Sequence, residues 1–293
     1  MTLAGRPNVG KSTLLNRLVG ERLSITSPKP QSTRDRIVGI RTLDREGQGV
    51  EPAQLVFLDT PGLLDPKDDL QRSMRHASLE ALSDADVIVY LVDAIEGPPP
   101  SLATAANVPP PQAPVLTALN KIDLVDADAR SALLDQLPDG YQISAATGDG
   151  VDRLLEAIVT RVPESPFLYP ADDISAQPFR FFVAEFIRET ALEQLSEEVP
   201  HSVAVQVDEF REGRKPLYIR AIIYVERESQ KGILLGHQGG RIRDIGRAAR
   251  SKIERLVGES VYLDLWVKVL PNWRRDPDAL RRLGYGPNDR VRR

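Results

Sequence analysis

Four short motifs occur in one order along the first half of the chain, and they constrain the fold more than any other feature. In chain order they are Gly5-Arg6-Pro7-Asn8-Val9-Gly10-Lys11-Ser12, Asp59-Thr60-Pro61-Gly62, Asn120-Lys121-Ile122-Asp123 and Ser144-Ala145-Ala146. Each follows a short apolar segment, as is typical of the carboxyl ends of buried parallel strands. The set predicts an α/β P-loop NTPase domain, with a mostly parallel sheet and helices on both faces.

The first motif is a complete P-loop. Its glycines allow the backbone to curl, so that successive N–H groups point at the β-phosphate while Lys11 reaches the β- and γ-oxygens. A helix over residues 13–19 would add its N-terminal dipole. The predicted phosphate-binding residues are Gly5, Asn8, Val9, Gly10, Lys11, Ser12 and Thr13. Residues 1–4 are barely long enough for a strand, so we expect either a short first strand or a start further upstream.

The second motif and a preceding polar loop form the predicted switch regions. Asp59 follows the apolar residues 54–58 and would hold Mg²⁺ through a water, and Gly62 would let a backbone N–H approach the γ-phosphate. Residues 27–36 form the predicted first switch. Thr33 is predicted to supply the hydroxyl that meets Mg²⁺, and Ser32 is the other candidate for this role. The alternative for the whole loop is a solvated turn with no switch function. The predicted switch residues are Ser32, Thr33, Asp59, Thr60, Pro61 and Gly62, and the predicted Mg²⁺ set is Ser12, Thr33 and Asp59.

The third motif favours guanine over adenine. The Asp123 carboxylate can accept hydrogen bonds from the N1–H and the N2 amino group of guanine, which adenine lacks, so adenine would leave a charged acceptor unpaired. Asn120 would bridge N7 and the loop, and the Lys121 stem would lie over the ring. The fourth motif would supply a backbone N–H to O6. The predicted guanine-binding residues are Asn120, Lys121, Asp123, Ser144, Ala145 and Ala146.

The position after Gly62 lacks a catalytic side chain. Some GTPases carry a water-orienting glutamine there, whereas this chain has Leu63. Phosphoryl transfer depends mainly on positioning and charge neutralisation. We therefore expect GTP hydrolysis that is slow alone and is accelerated by a partner or by loop closure.

The second half of the chain has a different pattern. Residues 163–178 are rich in proline and predict an interdomain linker. Residues 179–271 then predict the order helix, strand, strand, helix, Gly-x-x-Gly loop, helix and strand, which is that of an α+β type II KH domain. The predicted domains are thus 1–162, the linker 163–178, the KH domain 179–271 and a basic tail 272–293.

Charge supports RNA binding by this half. Residues 1–210 carry 18 basic and 32 acidic side chains, a net charge of −14, whereas residues 211–293 carry 20 and 10, a net charge of +10. A small domain this basic is the electrostatic footprint of a nucleic-acid contact, although a run of charges is ordinarily only a solvated face. Six basic residues follow the loop: Arg241, Arg243, Arg247, Arg250, Lys252 and Arg255. The predicted RNA-binding residues are Gly236, His237, Gln238, Gly239, Arg241, Arg243 and Arg247.

On these motifs the chain resembles the Era family of GTPases. Residues 5–161 are similar to its G domain, and the segments 225–232 and 265–274 are similar to its KH domain. The resemblance implies binding of the 3′ end of 16S rRNA, a role in maturing the 30S subunit, and a monovalent cation such as K⁺ held with the help of Asn8. Two departures stand out. The family has Lys-Gly where this chain has His237 and Gln238, and prolines at 98–100 and 109–111 reduce one helix to a turn or two around 101–107.

Composition limits location and excludes some chemistry. The absence of cysteine excludes disulfides and thiol catalysis, and the three histidines show no ligand spacing. The longest apolar stretch, residues 87–92, is too short to span a bilayer, and no leader precedes the P-loop, so we expect a cytoplasmic protein. The basic tail could touch anionic lipid at the inner face of the membrane, or rRNA, or could simply be frayed. The arginines singled out for such a contact are Arg281, Arg282, Arg290, Arg292 and Arg293.

Three alternatives remain open from the sequence. A metabolic P-loop kinase would not need the guanine-reading motif. A GTPase acting in tRNA modification or at membranes would share the first half but would not need the basic KH domain. The third alternative is an RNA-binding adaptor with an inactive nucleotide site. We also hypothesise that GTP orders residues 27–36 and the segment after Gly62, and that this closure couples RNA binding to nucleotide state.

Overall fold

The computed structural model describes residues 1–27, 29, 31–43, 52–97, 99–196, 198–213 and 215–286. The chain divides into two compact units. The first comprises Met1–Pro66 and Met74–Ala176, and the second comprises Lys67–Ser73 and the chain from Gln177 onward. Most of the predicted linker, residues 163–176, therefore belongs to the first unit.

The first unit is built on a six-stranded sheet. Its strands are β1 (Thr2–Ala4), β2 (Ile37–Leu43), β3 (Ala53–Asp59), β4 (Ile88–Asp93), β5 (Val115–Asn120) and β6 (Tyr141–Gln142). They lie in the order β2-β3-β1-β4-β5-β6, and all pair in parallel except β2 and β3. The predicted mostly parallel sheet is confirmed, and β1 has three residues, which agrees with the first of the two alternatives for residues 1–4.

Helices cover both faces of this sheet. They are α1 (Lys11–Val19), α2 (Asp69–Ser83), α3 (Leu102–Ala106), α4 (Ala127–Gln136) and α5 (Val151–Val159). Every residue of β4 is buried. Ile88, Tyr90 and Val92 point to one face, where they pack with apolar side chains of α2, α3 and α4. Val89 and Leu91 point to the other face and are also buried, as expected when side chains alternate along a strand.

The proline-flanked helix is as short as predicted. α3 has five residues, and the Ser101 side chain caps its start by accepting a hydrogen bond from the Thr104 N–H. Asn107 ends it in the left-handed conformation. Pro98 lies outside the described residues.

The segment predicted as a linker is attached to the edge of the sheet. The N–H of Ile40 in β2 donates to the carbonyl of Ile174 at 2.9 Å. The Gln54 side chain in β3 accepts from the N–H groups of Leu168 and Tyr169, both at 3.0 Å, and donates to the Tyr169 carbonyl at 2.9 Å. Hydrogen bonds thus hold residues 168–174 along the β2–β3 pair.

The second unit has the predicted KH order. Its elements are α6 (Phe179–Gln194), α7 (Val199–Ser202), β7 (Ala204–Arg211), β8 (Leu217–Val225), α8 (Glu228–Leu235), α9 (Gly240–Val257), β9 (Val261–Val269) and α10 (Pro277–Arg282). The sheet order is β7-β8-β9, with β7 antiparallel and β9 parallel to β8. The sequence did not predict α7, a single turn that has Pro200 in its first turn, where proline is accommodated. Glu197 lies outside the described residues.

The predicted tail is folded in its described part. The buried Trp273 donates from Nε1 to the Ser202 carbonyl at 2.9 Å and stacks on Tyr285. Asp276 caps α10, whose Ala279 and Leu280 are buried. The described part of the tail is therefore folded and not frayed. Arg290, Arg292 and Arg293 lie outside the described residues. Within the part of the chain that the structure describes, no helix has the length and hydropathy to cross a membrane.

Candidate functional site

One edge of the first unit's sheet gathers the four sequence motifs. They follow the carboxyl ends of β1, β3, β5 and β6, where ligands bind in open α/β sheets. Because Ile37 pairs with Asp59, the start of β2 brings the end of the predicted first switch to the same edge. A cavity of about 330 Å³ opens here. It is lined by Pro7, Asn8, Gly10, Lys11, Ser12, Thr13, Ile25, Thr26, Ser27, Gln31, Ser32, Thr33, Gly62 and Lys121.

The P-loop holds Lys11 in position without neutralising its charge. The ammonium donates to the carbonyls of Gly5 at 3.1 Å and Arg6 at 2.8 Å. Burial lowers the pKa of Lys11 to about 8, although the nearby Asp59 opposes the shift. Asn8 lines the cavity with a positive φ of 64°, and Val9 is buried beneath it. Within the described residues this buried ammonium donates to neutral carbonyls, so it is suited to an anionic ligand such as a phosphate.

Hydroxyl groups surround the Asp59 carboxylate. Its Oδ2 accepts from Ser12 Oγ at 2.7 Å and from Ser24 Oγ at 2.9 Å, and Ser12 Oγ lies 2.9 Å from Thr33 Oγ1. Burial raises the pKa of Asp59, against the opposing effects of Lys11 and these hydroxyls. The structure therefore brings together the three predicted Mg²⁺ residues and favours Thr33 over Ser32, which lines the cavity nearby. Ser24 carried no sequence signal.

The cluster fits a hydrated Mg²⁺ ion. Asp59 is fully buried, and within the described residues its Oδ1 atom has no hydrogen-bond partner. Magnesium prefers oxygen ligands and keeps several of its waters, so it takes carboxylates and hydroxyls of this kind with substrate phosphates. When bound, the ion would neutralise charge on the phosphate oxygens. Ser12, Thr33 and Asp59 are the residues that would hold it.

The segment after Asp59 is fixed against the P-loop. A Cβ atom on Gly62 would lie 2.5 Å from the Pro7 nitrogen. The Leu63 side chain is buried in the hydrophobic core, so it is directed away from the cavity. Thr60 donates to the Leu3 carbonyl at 2.9 Å, and the Pro61 carbonyl accepts from Ser78 at 2.8 Å. Thr60 and Pro61 do not line the cavity, so their predicted contact with the γ-phosphate stays a prediction.

A Gly62→Ala substitution should impair the triphosphate state selectively. The added methyl group would force this segment away from the P-loop, because backbone atoms of Pro7 cannot yield as a flexible side chain does. We expect GDP affinity within about threefold of wild type and GTP hydrolysis at least about tenfold slower, the loss associated with one misplaced charge-stabilising donor. Phosphate release and GDP titration measure the two effects. Equal hydrolysis rates would contradict the role of this close approach.

Asn120 connects the P-loop to the fourth motif. Its Nδ2 donates to the Val9 carbonyl at 2.7 Å, and its Oδ1 accepts from the Ala145 N–H at 2.8 Å. The Ser144 N–H is also engaged, with the Asp149 carbonyl at 2.8 Å. Arg17 of α1, which the sequence did not indicate, donates to the Ala145 carbonyl at 2.7 Å and to the Ala146 carbonyl.

The remaining guanine-motif side chains reach solvent. Asp123 is exposed, and Lys121 borders the cavity with a left-handed backbone. The Lys121 ammonium pairs with Asp93 Oδ2 at 2.5 Å. Asp93 was missed, although its place at the carboxyl end of β4 was an available signal. The ion pair fixes the Lys121 side chain at the border of the cavity.

The predicted Gly-x-x-Gly loop of the second unit is a tight left-handed turn. Gln238 has φ 49° and ψ 31°, and Gly239 has φ 73°. The family has a glycine where this chain has Gln238, and glycine adopts a left-handed backbone without strain. The positive φ of Gln238 shows that this position is left-handed here as well. Arg243 donates to the carbonyls of Gln238 at 3.0 Å and Gly239 at 3.2 Å. This guanidinium therefore braces the loop.

A basic groove follows the loop between α9 and β9. Its cavity is about 400 Å³ and is lined by Ile242, Arg243, Gly246, Arg247, Arg250, Tyr262, Leu263 and Leu265. Arg241 donates instead to the Ile233 carbonyl, and Arg247 pairs with Asp244 at 3.0 Å on the exposed surface. Lys252 lies away from the groove, because its ammonium pairs with Glu189 and Glu193, each at 2.9 Å. Only part of the basic run therefore faces the groove.

Comparisons with known families match both units. The family model described as 50S ribosome-binding GTPase matches residues 1–121, and the KH domain model matches residues 198–274. The chain is 42% identical to the GTPase Era of Carboxydothermus hydrogenoformans, over 97% of this chain and 96% of that one. It is also 42% identical to the GTPase Era of Lactobacillus delbrueckii subsp. bulgaricus, over 97% and 95% of the two chains.

Two solved structures are similar over nearly the whole chain. One is a variant of Aquifex aeolicus Era bound to GDP and AlF4⁻, and the other is Era in complex with MgGDPNP and nucleotides 1506–1542 of 16S ribosomal RNA. Each is 40% identical to this chain and has a TM-score of 0.90, and the alignment covers 98% of both chains. The similarity therefore covers both units of this chain, in the same order along the sequence.

Proposed function

Because this chain belongs to the Era family of GTPases, we propose that it is a GTP-hydrolysing switch that binds the 3′ end of 16S rRNA during assembly of the 30S subunit. The nucleotide would bind with Mg²⁺ in the cavity of the first unit, and the RNA in the basic groove of the second. The observation that carries the proposal is the joint presence of the Lys11–Asp59 phosphate site and the groove beside the Gly-x-x-Gly loop.

Each residue of the nucleotide site has a proposed role. Lys11 binds the β- and γ-phosphates, while Ser12, Thr33 and Asp59 hold the magnesium ion. Asp123 accepts hydrogen bonds from the guanine amino edge. Asn120 positions the fourth motif, and since Ser144 and Ala145 donate within the protein, the Ala146 N–H is the donor that we assign to O6. Asn8 stays a predicted ligand of K⁺.

Hydrolysis by the isolated protein should be slow. The P-loop and the magnesium ion supply positioning and charge neutralisation, which carry most of the catalysis in phosphoryl transfer. A side chain that orients the attacking water is missing at position 63, because Leu63 is buried in the core. Closure of residues 27–36 or a bound partner would complete the site; Pro28 and Pro30 of this segment lie outside the described residues.

The RNA proposal rests on the groove and on the relative's complex. A Gly-x-x-Gly loop clamps about four nucleotides of single-stranded nucleic acid by bringing backbone N–H groups to the phosphates. In this chain Arg243, Arg247 and Arg250 add positive charge along the groove. The similar Era structure contains nucleotides 1506–1542 of 16S rRNA, which supports the same class of ligand here. Cytoplasmic location, weak peripheral membrane association and coupling of RNA binding to nucleotide state stay predictions.

Three measurements on the 293-residue chain test the proposal. We expect slow phosphate release from GTP, tight binding of GTP and GDP but not ATP, and binding of RNA corresponding to the 3′ end of 16S rRNA. Comparing RNA affinity with a GTP analogue, GDP and no nucleotide tests the coupling. Absent nucleotide binding would contradict the GTPase role, whereas nucleotide binding without RNA binding would contradict only the ribosomal role.

A Gly239→Asp variant tests the loop. A Cβ atom at Gly239 has open space, its nearest neighbour being Ile242 at 4.0 Å, and aspartate tolerates a left-handed backbone better than most residues. The added carboxylate should repel the RNA phosphates and weaken binding by about tenfold or more. Gly239→Asn, which has the same shape without the charge, is the matched control and should bind clearly better. Unchanged affinity in both variants would remove the loop from the RNA contact.

A further inference from the structure

The outer face of the second unit's sheet is partly open and aromatic. Side chains alternate across β8, so Tyr218 and Arg220 lie on the face opposite the buried Ile219 and Ala221. The parallel pairing places Tyr262 and Trp266 of β9 on the same outer face. These two side chains are 59% and 52% exposed.

Three planar groups form a column across this face. Arg211 pairs with Tyr218, and Tyr218 pairs with Tyr262, on three adjacent strands. The Arg211 guanidinium lies 4.9 Å from the centroid of the Tyr218 ring. The Tyr218 and Tyr262 rings stack with centroids 5.7 Å apart and an angle of 11° between their planes. The column therefore ends at the edge strand β9, with Tyr262.

Asp264 holds the neighbouring side chains of the column in place. It accepts hydrogen bonds from the Tyr218 hydroxyl at 3.0 Å, from Arg220 Nε at 3.0 Å and from Trp266 Nε1 at 3.1 Å. Burial opposes ionisation of this carboxyl, but these hydrogen bonds outweigh burial and lower the pKa of Asp264. Arg220 compensates its charge and lies 5.7 Å and 5.8 Å from the Tyr218 and Trp266 rings. Glu209 on the same face pairs with Arg211 and, at 2.7 Å, with Arg220, so both carboxylates beside the aromatic rings are paired.

The column is continuous with the basic groove. Tyr262 is one of the side chains that line the cavity containing Arg243, Arg247 and Arg250. A nucleotide strand leaving the groove past β9 would therefore meet the Tyr262 ring, whose partner Tyr218 lies on the sheet side. Lys268, which is exposed on the same face, can meet its phosphates. Bases stack on aromatic side chains largely independently of sequence, since every base has a π-face.

We propose that Tyr262 stacks on one base of a single-stranded RNA, beyond the nucleotides held by the Gly-x-x-Gly loop, and that Tyr218 and Arg211 support it from behind. The RNA path would then run from the groove onto the outer face of the sheet. This inference rests on the proposed RNA-binding function and adds a stacking site to it. The ligand at the new site is one unpaired base, which can be a purine or a pyrimidine.

Fluorescence anisotropy with single-stranded RNAs of two lengths tests the proposal. We expect Tyr262→Ala to reduce the affinity for an RNA of about eight nucleotides by about tenfold, which is the loss typical of one stacked base. The affinity for an RNA of about four nucleotides should change by less than about twofold. Tyr262→Phe should bind like wild type, and Tyr262→Leu like Tyr262→Ala, because only an aromatic ring stacks. Phe179→Ala removes an equally exposed aromatic ring from α6 and is the matched control.

Each contrary outcome has a separate meaning. If wild type binds neither RNA, the proposed RNA function fails. If wild type binds both RNAs and Tyr262→Ala binds the longer one equally well, only the stacking site fails. Equal losses for both lengths would place Tyr262 inside the groove and overturn the extended path. A change of oligomeric state in Tyr262→Ala, measured by sedimentation with unchanged RNA affinity, would make this face a contact between copies instead.

Discussion

A Lys11→Ala variant should lose GTP and GDP affinity by about 10²- to 10⁴-fold while it keeps RNA affinity. Lys11 is the buried cation at the phosphate end of the cavity, and its loss removes at least one charged hydrogen bond to each of two phosphates. Hydrogen bonds to charged groups contribute about 1.5–3 kcal/mol each, and about 1.4 kcal/mol corresponds to a tenfold change in affinity. Calorimetric titration of GDP and GTP with magnesium measures the loss.

A second variant separates charge from packing. Lys11→Met keeps the apolar stem but not the ammonium, so it should lose nucleotide as Lys11→Ala does. The buried ammonium is desolvated, but Lys11→Met also removes the positive charge near the buried Asp59 carboxylate, so the nucleotide-free variant should unfold at a temperature close to that of wild type. GDP should raise the unfolding temperature of wild type only. Wild-type GDP affinity in either variant would contradict this site, and equal loss of RNA affinity would contradict independent binding sites.

An Asp123→Asn variant should exchange guanine for xanthine. The carboxylate accepts from the guanine amino edge, whereas an asparagine amide also presents donors, which suit the oxygen that xanthine carries in place of the amino group. The ratio of XTP to GTP affinity should rise on the order of 10⁴-fold, the scale at which a site built for a hydrogen-bonding group rejects an analogue that lacks it. Competition titrations with both nucleotides measure this ratio.

Two control variants accompany Asp123→Asn, one at the same position and one nearby in α4. Asp123→Ala should bind neither nucleotide well, because it offers neither donor nor acceptor. Asp128→Asn removes the same charge from an exposed position in the first turn of α4 and should retain the preference for GTP. If Asp123→Asn kept its preference for GTP, the base would be recognised elsewhere, and the third motif would have only a structural role.

Contiguous motifs carried most of what the sequence could predict. A P-loop, a residue at a strand end and a Gly-x-x-Gly turn are each shaped by a few adjacent backbone dihedrals, so their geometry follows from local residue types. The same holds for the short α3 between prolines and for Leu63, whose absence of polar atoms excludes a role in orienting water. Gln238 belongs here too, since the loop needs a left-handed residue whatever side chain it carries.

The tertiary structure alone decided which distant side chains meet. Ser24 donates a hydrogen bond to Asp59, and Asp93 pairs with Lys121. Lys252 pairs with acidic residues of α6 and does not line the groove. The column of Arg211, Tyr218 and Tyr262 depends on the register of three strands. Such contacts are set by strand pairing and helix packing over long sequence separations, which no local pattern encodes. The chain's residues thus determined by themselves which ligands it can bind, and packing determined which further side chains hold those sites in place.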